Sequence, residues 1–114
     1  MKWARVFLKN GCPACKQFHE ETLSKLSPTE QFLVVRTYVE TVPRTPSGKL
    51  VDPMIEAYEV NAVPTILMFD YDRFTAPQSM GKFVGKHVGS MELEALQTFL
   101  DIRVPTLGGE DKEA

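Results

Sequence analysis

The two cysteines of this 114-residue chain are the residues whose type and spacing most directly indicate chemistry. They lie in the sequence Cys12-Pro13-Ala14-Cys15, one helical turn apart. At this spacing one thiol can attack a foreign disulfide, and the other can reach back to resolve the mixed disulfide. A pair that only staples a fold more often joins distant segments, because closing a longer loop removes more entropy from the unfolded chain. The spacing therefore favours a reversible redox centre.

Cys12 is predicted to be the attacking nucleophile. A β-prone segment and the turn Lys9-Asn10-Gly11 precede it, and Pro13 suits the first position of a helix. The N-terminus of a helix favours an anion, and such a position lowers a thiol pKa into a range of about 3.5–7.5. Lys9 and Lys16 add positive charge nearby. Cys15, one turn further along, is expected to be more buried and to remain a thiol until it is needed.

The elements that must position this pair follow from hydrophobic patterning and from turn residues. Strands are predicted over residues 3–8, 32–39, 65–69 and 82–88, the second as a buried central strand and the last with a bulge at Gly85. Helices are predicted over residues 13–26, where Ser27-Pro28 stops the helix, from the cap Asp52-Pro53 to near Asn61, and after a cap at Ser90. Residues 41–50 are predicted to form a loop, residues 71–79 a turn and residues 103–114 a mobile tail.

The predicted order β-α-β-α-β-β-α indicates the α/β class. The first β-α-β unit implies a parallel crossover, and the closing β-β unit implies an antiparallel hairpin. We therefore expect a four-stranded mixed sheet with helices on both faces. The length fits one domain, predicted over residues 1–102.

At this point the chain resembles the thioredoxin/glutaredoxin superfamily, from about residue 3 to residue 101. The resemblance rests on the strand-turn-CPAC-helix unit, on Val63-Pro64-Thr65 at the start of a strand, and on Val88-Gly89 before the last helix. It implies a thioredoxin-like fold, a cis Val63–Pro64 bond, and a thiol-disulfide oxidoreductase with Cys12 and Cys15 as catalytic residues. The implied substrate-binding residues are Pro13, Ala14, Val63, Pro64, Thr65, Val88 and Gly89.

The resemblance also implies partners and no bound metal or cofactor. The substrate would be a disulfide-containing protein, and a thioredoxin-reductase-like system or glutathione would recycle the enzyme. Departures from the family concern the proton chemistry: Val6 falls where thioredoxins carry a buried aspartate, and Arg36 replaces the lysine beside it. The layout also lacks the extra strand and helix with which thioredoxins begin. Val88-Gly89-Ser90 differs from the glutathione-binding segment of glutaredoxins, so glutathione specificity is open.

Several alternatives remain open at the level of sequence. The protein could be a glutathione-dependent glutaredoxin, or a metal-carrying, iron–sulfur-carrying or partner-binding module on the same fold. Cys12, Cys15 and His19 supply three of the four ligands that structural zinc prefers, and His87 is distant in sequence. His19 could instead exchange a proton with Cys15, or be a solvated side chain. The direction of reaction, as reductase, oxidase or isomerase, is also open.

Composition excludes some classes of function. The net charge is −2 and the pI is about 5.7, so no basic surface indicates nucleic acid or anionic lipid. No apolar run approaches the roughly 18 residues of a membrane span. Arg5 and Lys9 interrupt the first apolar segment, which is unlike a signal peptide. We therefore expect a cytoplasmic protein, where a local cysteine pair indicates catalysis or metal binding, and nothing in the sequence requires a dimer.

Overall fold

The computed structural model describes residues 2–70 and 82–100, in which four strands form one mixed sheet. The strands are β1 (Lys2–Leu8), β2 (Val34–Tyr38), β3 (Thr65–Asp70) and β4 (Lys82–Val88), and their order in the sheet is β2-β1-β3-β4. β1 is parallel to β2, whereas β1 with β3 and β3 with β4 are antiparallel. The predicted α/β class and mixed sheet are confirmed.

The helices of the described residues are short. They are α1 (Pro13–Glu21), α2 (Pro28–Gln31), α3 (Pro53–Ala57) and α4 (Leu93–Leu100), with single 3₁₀ turns at Leu23–Lys25 and Val39–Thr41. None of them is long and apolar enough to cross a membrane. Each of the first three α-helices has a proline in its first turn, where the missing N–H has no helical partner to lose.

The sheet is covered on both faces, as predicted. One core cluster joins α1 and α4 to the sheet; its buried members are Ala4, Val6, Leu8, Cys15, Phe18, Leu23, Leu26, Val34, Ile66, Leu96 and Leu100. The second joins α3 to the opposite face and contains Phe7, Val42, Met54, Ile55, Leu67 and Phe69. Cys15 therefore belongs to the first core, which fixes its position relative to the sheet.

An ion pair attaches α3 to the second face. Asp52 caps α3 by accepting hydrogen bonds from the N–H groups of Met54 and Ile55. The same carboxylate receives two hydrogen bonds from the Arg5 guanidinium, at 3.1 and 2.7 Å. Burial alone would raise the pKa of Asp52, but Arg5 and the two N–H groups hold that pKa below its usual value. Arg5, a charged residue within β1, therefore has an ion-pair partner on the face of the sheet that α3 covers.

The register brings the functional residues to one end of the sheet. Leu8 pairs with Tyr38 across β1 and β2, and Phe7 pairs with Thr65 across β1 and β3. Thr65 in turn pairs with Val88, the last residue of β4. The turn that follows β1 therefore lies between the end of β2 and the paired ends of β3 and β4.

The first helix ends earlier than predicted. We expected it to run to residue 26, but α1 ends at Glu21, and Thr22 leaves the helical conformation with φ −127° and ψ −63°. The buried Thr22 hydroxyl donates a hydrogen bond of 2.6 Å to the Met91 carbonyl, which ties this point to the segment before α4. Ser27-Pro28 does not merely stop a helix: Ser27 and Glu30 form a reciprocal capping box that starts α2.

The second strand is shorter than predicted and is not central. Within the described residues β2 lies at the edge of the sheet and pairs with β1 alone. Phe32, predicted inside the strand, lies outside it with 86% of its surface exposed, and Val35 is 46% exposed. A run of apolar residues suggested burial on both faces, but Phe32 belongs to the turn after α2, and Val35 lies on the edge strand, where the covering is thinner.

Three smaller boundaries also differ from the prediction. α3 ends at Ala57, not near Asn61, because Glu59 takes a left-handed φ of 53°. The register shift in β4 leaves Val84, not Gly85, without a partner between Phe83 and Gly85. Ser90 does not cap α4, because α4 begins at Leu93. The Ser90 carbonyl oxygen instead lies 2.8 Å from Nε2 of His87.

The loop over residues 41–50 is confirmed. It closes on itself through an isolated antiparallel bridge between Arg44 and Leu50, and Lys49 forms a 2.9 Å ion pair with Glu56 of α3. The predicted turn over residues 71–79 and the predicted tail over residues 103–114 lie outside the described residues. The loop is thus folded onto α3.

Candidate active site

Cys12 occupies the N-cap of α1. Its φ of −94° and ψ of 113° are extended, and its carbonyl accepts the first helical hydrogen bond from the N–H of Lys16 at 2.9 Å. Its Sγ atom accepts a hydrogen bond from the backbone N–H of Cys15 at 3.2 Å. The side chain that usually caps a helix with an oxygen is here a sulfur, and a negative charge on that sulfur is stabilised by the same geometry.

The two sulfurs have different environments, and their pKa values diverge accordingly. The pKa of Cys12 is lowered, chiefly by the hydrogen bond from the Cys15 side chain and further by the N–H groups of Cys15 and Ala14 and the charge of Lys9. Burial and the hydrogen bond to Cys12 raise the pKa of Cys15 to about 11. Cys12 is half-buried and Cys15 is only 4% exposed, and both are free thiols. One sulfur is therefore prepared to be a thiolate and the other to remain a thiol.

A cavity opens beside both sulfurs on the side of β2. Its volume is about 260 Å³, and it is lined by Leu8, Lys9, Asn10, Gly11, Cys12, Cys15, Lys16, His19 and Tyr38. The positively charged side chains of Lys9 and Lys16 lie on its wall, as sequence analysis anticipated from their distance along the chain. His19, an exposed residue of α1, shares this wall with both cysteines. Water and a small substrate group can therefore reach Cys12.

Glu40 is a residue of this region that sequence analysis did not single out. It lies two residues beyond the end of β2, and its Oε2 atom accepts a 2.8 Å hydrogen bond from the backbone N–H of Asn10. Its negative charge contributes to the raised pKa of Cys15. A charged residue after a strand gave no sequence signal, because only the pairing of β1 with β2 brings it to the turn before Cys12.

Five of the residues expected to bind substrate lie on the other side of the cysteine pair, at the ends of β3 and β4. The Val63–Pro64 peptide bond is cis, Pro64 is buried, and the Pro64 carbonyl accepts a 2.8 Å hydrogen bond from the N–H of Gly89. Thr65 is fully buried, and its hydroxyl donates to the Ala62 carbonyl at 2.7 Å. Val63 is half-buried, so it exposes part of its side chain, whereas Pro64 and Thr65 do not.

Exposed surface at this end comes from β4 and from the first turn of α1. Val88 is 57% exposed, and Pro13 and Ala14 are also exposed. Gly89 has a φ of +102°, whereas a Cβ atom placed on it would meet no other atom within 4 Å. Glycine is therefore required at position 89 by its backbone conformation, and the space beside it is open for an approaching chain.

Other residues considered from the sequence have structural partners. Arg36 donates hydrogen bonds to the Leu23 carbonyl at 3.3 Å and to Oε1 of Gln31 at 2.6 Å. Val6 is fully buried in the first core, so it offers no proton acceptor to Cys15. His87 contacts the Ser90 carbonyl.

The described residues contain no group of three histidine, cysteine, aspartate or glutamate side chains arranged to hold a metal ion. Cys12, Cys15 and His19 line one cavity, yet they do not form such a group. The zinc half-site considered from the spacing is thus not assembled by the fold within residues 2–70 and 82–100.

Comparison with known proteins gives a fold and little sequence similarity. No protein-family model matches the chain, and no curated protein sequence matches it. A thioredoxin-fold protein from Helicobacter pylori superposes with a TM-score of 0.59 at 18% identity, covering 88% of this chain and 69% of that one. The exposed lipoprotein thioredoxin of Streptococcus pneumoniae gives 0.58 at 22% identity, covering 89% and 84%.

Mitochondrial thioredoxin 3 from Saccharomyces cerevisiae, in its oxidised form, is also similar. It superposes with a TM-score of 0.56 at 22% identity, covering 89% of this chain and 78% of that one. The similarity to these proteins shows that the described sheet and helices have the thioredoxin fold. The fold predicted from the sequence is confirmed.

Proposed function

We propose that this protein, which has the thioredoxin fold, is a thiol-disulfide oxidoreductase that uses the Cys12/Cys15 pair. The observation that carries the proposal is the difference between the two sulfurs. Cys12 caps α1, accepts hydrogen bonds that favour its thiolate and borders a cavity, whereas Cys15 is buried one turn away with a raised pKa. An accessible nucleophile and a protected resolving thiol are the two groups that disulfide exchange requires.

In the reducing direction, the Cys12 thiolate attacks one sulfur of a substrate disulfide. A bond forms between Cys12 and that sulfur, the substrate S–S bond breaks, and the other substrate sulfur leaves as a thiolate that takes a proton from solvent. Cys15 then loses its proton to solvent and attacks the Sγ atom of Cys12. The mixed disulfide breaks, the second substrate thiolate leaves, and two electrons have passed from the dithiol to the substrate.

The fold assists the second step because both sulfurs lie on one helical turn. Holding two reacting groups in place makes the step intramolecular and raises its rate. We assign substrate binding to the exposed surfaces of Pro13, Ala14 and Val88 and to the open space at Gly89. The buried Pro64 and Thr65 and the half-buried Val63 would shape that surface from below, and a disulfide-containing protein segment is the proposed substrate.

The proposal is tested by insulin reduction with the purified protein and its Cys12→Ser and Cys15→Ser variants. We expect Cys12→Ser to abolish turnover and Cys15→Ser to accumulate a mixed disulfide that mass spectrometry detects on Cys12. A Cys12→Ser variant that keeps the activity would refute the proposal. Glu94→Gln on α4 serves as a control, because Glu94 is exposed, does not line the cavity and changes neither sulfur.

The recycling partner is a separate part of the proposal. We favour a thioredoxin-reductase-like system acting without a bound cofactor on the protein itself, and glutathione is the alternative. Insulin reduction with thioredoxin reductase and NADPH should proceed, and reduction of hydroxyethyl disulfide with glutathione should be slower. Activity in the glutathione assay alone would assign the protein to the glutathione-dependent class, while leaving the role of Cys12 intact.

A further inference from the structure

Glu40 ties the turn before the cysteine pair to the end of β2. The Glu40 carboxylate accepts the Asn10 N–H at 2.8 Å, across 30 positions of sequence. Asn10 is the middle residue of the turn Lys9-Asn10-Gly11, which leads from β1 into Cys12 and forms one wall of the cavity. The turn also contains Gly11, whose φ of +76° is in the left-handed region that glycine adopts readily. One side chain from a neighbouring strand end thus holds the turn in place.

The same contact places a negative charge close to the Cys15 sulfur. The backbone N–H of Lys9 donates toward Cys15, and the next N–H along the chain, that of Asn10, donates to Glu40. The two N–H groups are consecutive along the chain, so Glu40 contacts the residue next to the one that contacts the sulfur. Glu40 is exposed, so its charge is partly screened by water.

The groups around Cys15 act in opposite directions. Burial, the Cys12 side chain and the Glu40 charge all oppose a thiolate at Cys15, whereas the Lys9 N–H favours it. The other charged or titratable groups on the shared cavity wall are the side chains of Lys9, Lys16, His19 and Tyr38. Once Cys12 is bound in a mixed disulfide it carries no charge, and Glu40 remains as the negative group that acts on Cys15.

We propose that Glu40 is a positioning residue of this redox centre, which anchors the turn before Cys12 and slows the resolving step by opposing negative charge on Cys15. The inference rests on the proposed function. In the resolving step the Cys15 proton leaves to solvent, Cys15 attacks the Cys12 sulfur, and the substrate thiolate departs. Glu40 takes no proton in this step; its charge disfavours the Cys15 thiolate and so reduces the fraction of molecules able to attack.

The test separates the charge of Glu40 from its hydrogen bond. Glu40→Gln removes the charge but keeps an oxygen that can accept the Asn10 N–H, whereas Glu40→Ala removes both. Glu94→Gln on α4 is the matched control, since it removes one exposed carboxylate and changes the net charge equally. All three are made in a Cys12→Ser background, so that the pH dependence of iodoacetamide alkylation, followed by mass spectrometry, reports the titration of Cys15 alone.

We expect the midpoint of the Cys15 titration to move to lower pH in Glu40→Gln and to stay unchanged in Glu94→Gln. The shift should shrink in 1 M salt, where the Debye length falls to about 3 Å, which an effect of altered packing would not do. Amide hydrogen exchange at Asn10 should accelerate in Glu40→Ala but not in Glu40→Gln. With Cys12 present, resolution of a preformed mixed disulfide at neutral pH should be several-fold faster in Glu40→Gln.

The inference is overturned if Glu40→Gln leaves the Cys15 titration where it is, or if only Glu40→Ala shifts it. A slower resolution in Glu40→Gln would also overturn it, since that result would make Glu40 a proton acceptor. The titration needs no enzymatic activity, so its failure is distinguishable from the failure of the proposed function, which appears as absent insulin reduction in the protein with both cysteines.

Discussion

The hydrogen bond from the Cys15 thiol to the Cys12 sulfur makes a specific prediction about Cys12. This contact is the largest of the effects that lower the pKa of Cys12, ahead of the backbone N–H groups and the Lys9 charge. Replacing Cys15 by alanine removes the donor, and replacing it by serine supplies a hydroxyl donor at the same place. The two variants therefore differ in one hydrogen bond to the reacting sulfur.

The magnitude follows from the exposure of the site. A hydrogen bond to an ionised group contributes about 1.5–3 kcal/mol when it is shielded from water. Cys12 is half-buried, so we discount this contribution to about 1 kcal/mol. Since about 1.4 kcal/mol corresponds to about a tenfold change in an equilibrium constant, Cys15→Ala should raise the pKa of Cys12 and lower its thiolate population several-fold at a given pH, and Cys15→Ser should do so much less.

The assay is the rate of Cys12 alkylation by iodoacetamide as a function of pH, with Cys12 the sole cysteine in each variant. Thiolate absorbance at 240 nm gives an independent midpoint. The backbone N–H of residue 15, which lies 3.2 Å from the Cys12 sulfur in this structure, is present in both variants, so part of the lowering should persist. Equal midpoints in the alanine and serine variants would refute the assignment of the Cys15 side chain as the main stabilising group.

Three further predictions concern the structure around the site. Asp52→Asn keeps a capping residue but loses the charge opposite Arg5, and should lower the free energy of unfolding by about 2 kcal/mol. Because the folded-state pKa of Asp52 is depressed, the difference in stability between the unsubstituted protein and the Asp52→Asn variant should be full above about pH 4. It should shrink as the pH falls further and the carboxylate is protonated. Gly89→Ala should cost about 1–3 kcal/mol through its positive φ, and an unchanged urea midpoint would contradict this. Thr22→Val should cost about 1–3 kcal/mol by leaving the Met91 carbonyl unpaired, whereas Thr22→Ser, which keeps the hydroxyl, should cost less; equal urea midpoints would oppose that account.

Local sequence signals predicted the parts of the site that depend on neighbouring residues. Pro13 after a turn predicted the start of α1, and that start placed Cys12 at the N-cap position, as the structure has it. Asp52-Pro53 likewise predicted the start of α3. These features depend on backbone geometry within four residues, so the chain around each position was sufficient.

Features that depend on tertiary contacts could not be predicted in the same way. α1 ends at Glu21 because Thr22 bonds to Met91, which is 69 positions away. The capping box of Ser27 and Glu30 is the exception, since its spacing was a readable signal for α2 that the prediction of a simple helix end overlooked.

The edge position of β2 and the role of Glu40 have a common cause. An apolar run such as Val34-Val35 indicates burial but does not tell whether another strand pairs beyond it. Glu40 gained its place at the cysteine pair only through the parallel register of Leu8 with Tyr38. Sequence reasoning therefore identified the sulfurs and missed the carboxylate that acts on one of them.

The most direct test of the account is the order in which the two sulfurs react in the reduced, unmodified protein. Limiting iodoacetamide at pH 7, followed by peptide mass spectrometry, measures alkylation at Cys12 and Cys15 separately. We predict that Cys12 is modified first and that Cys15 stays largely unmodified while the protein is folded. Equal modification of both sulfurs, or faster modification of Cys15, would contradict the assignment of Cys12 as the nucleophile.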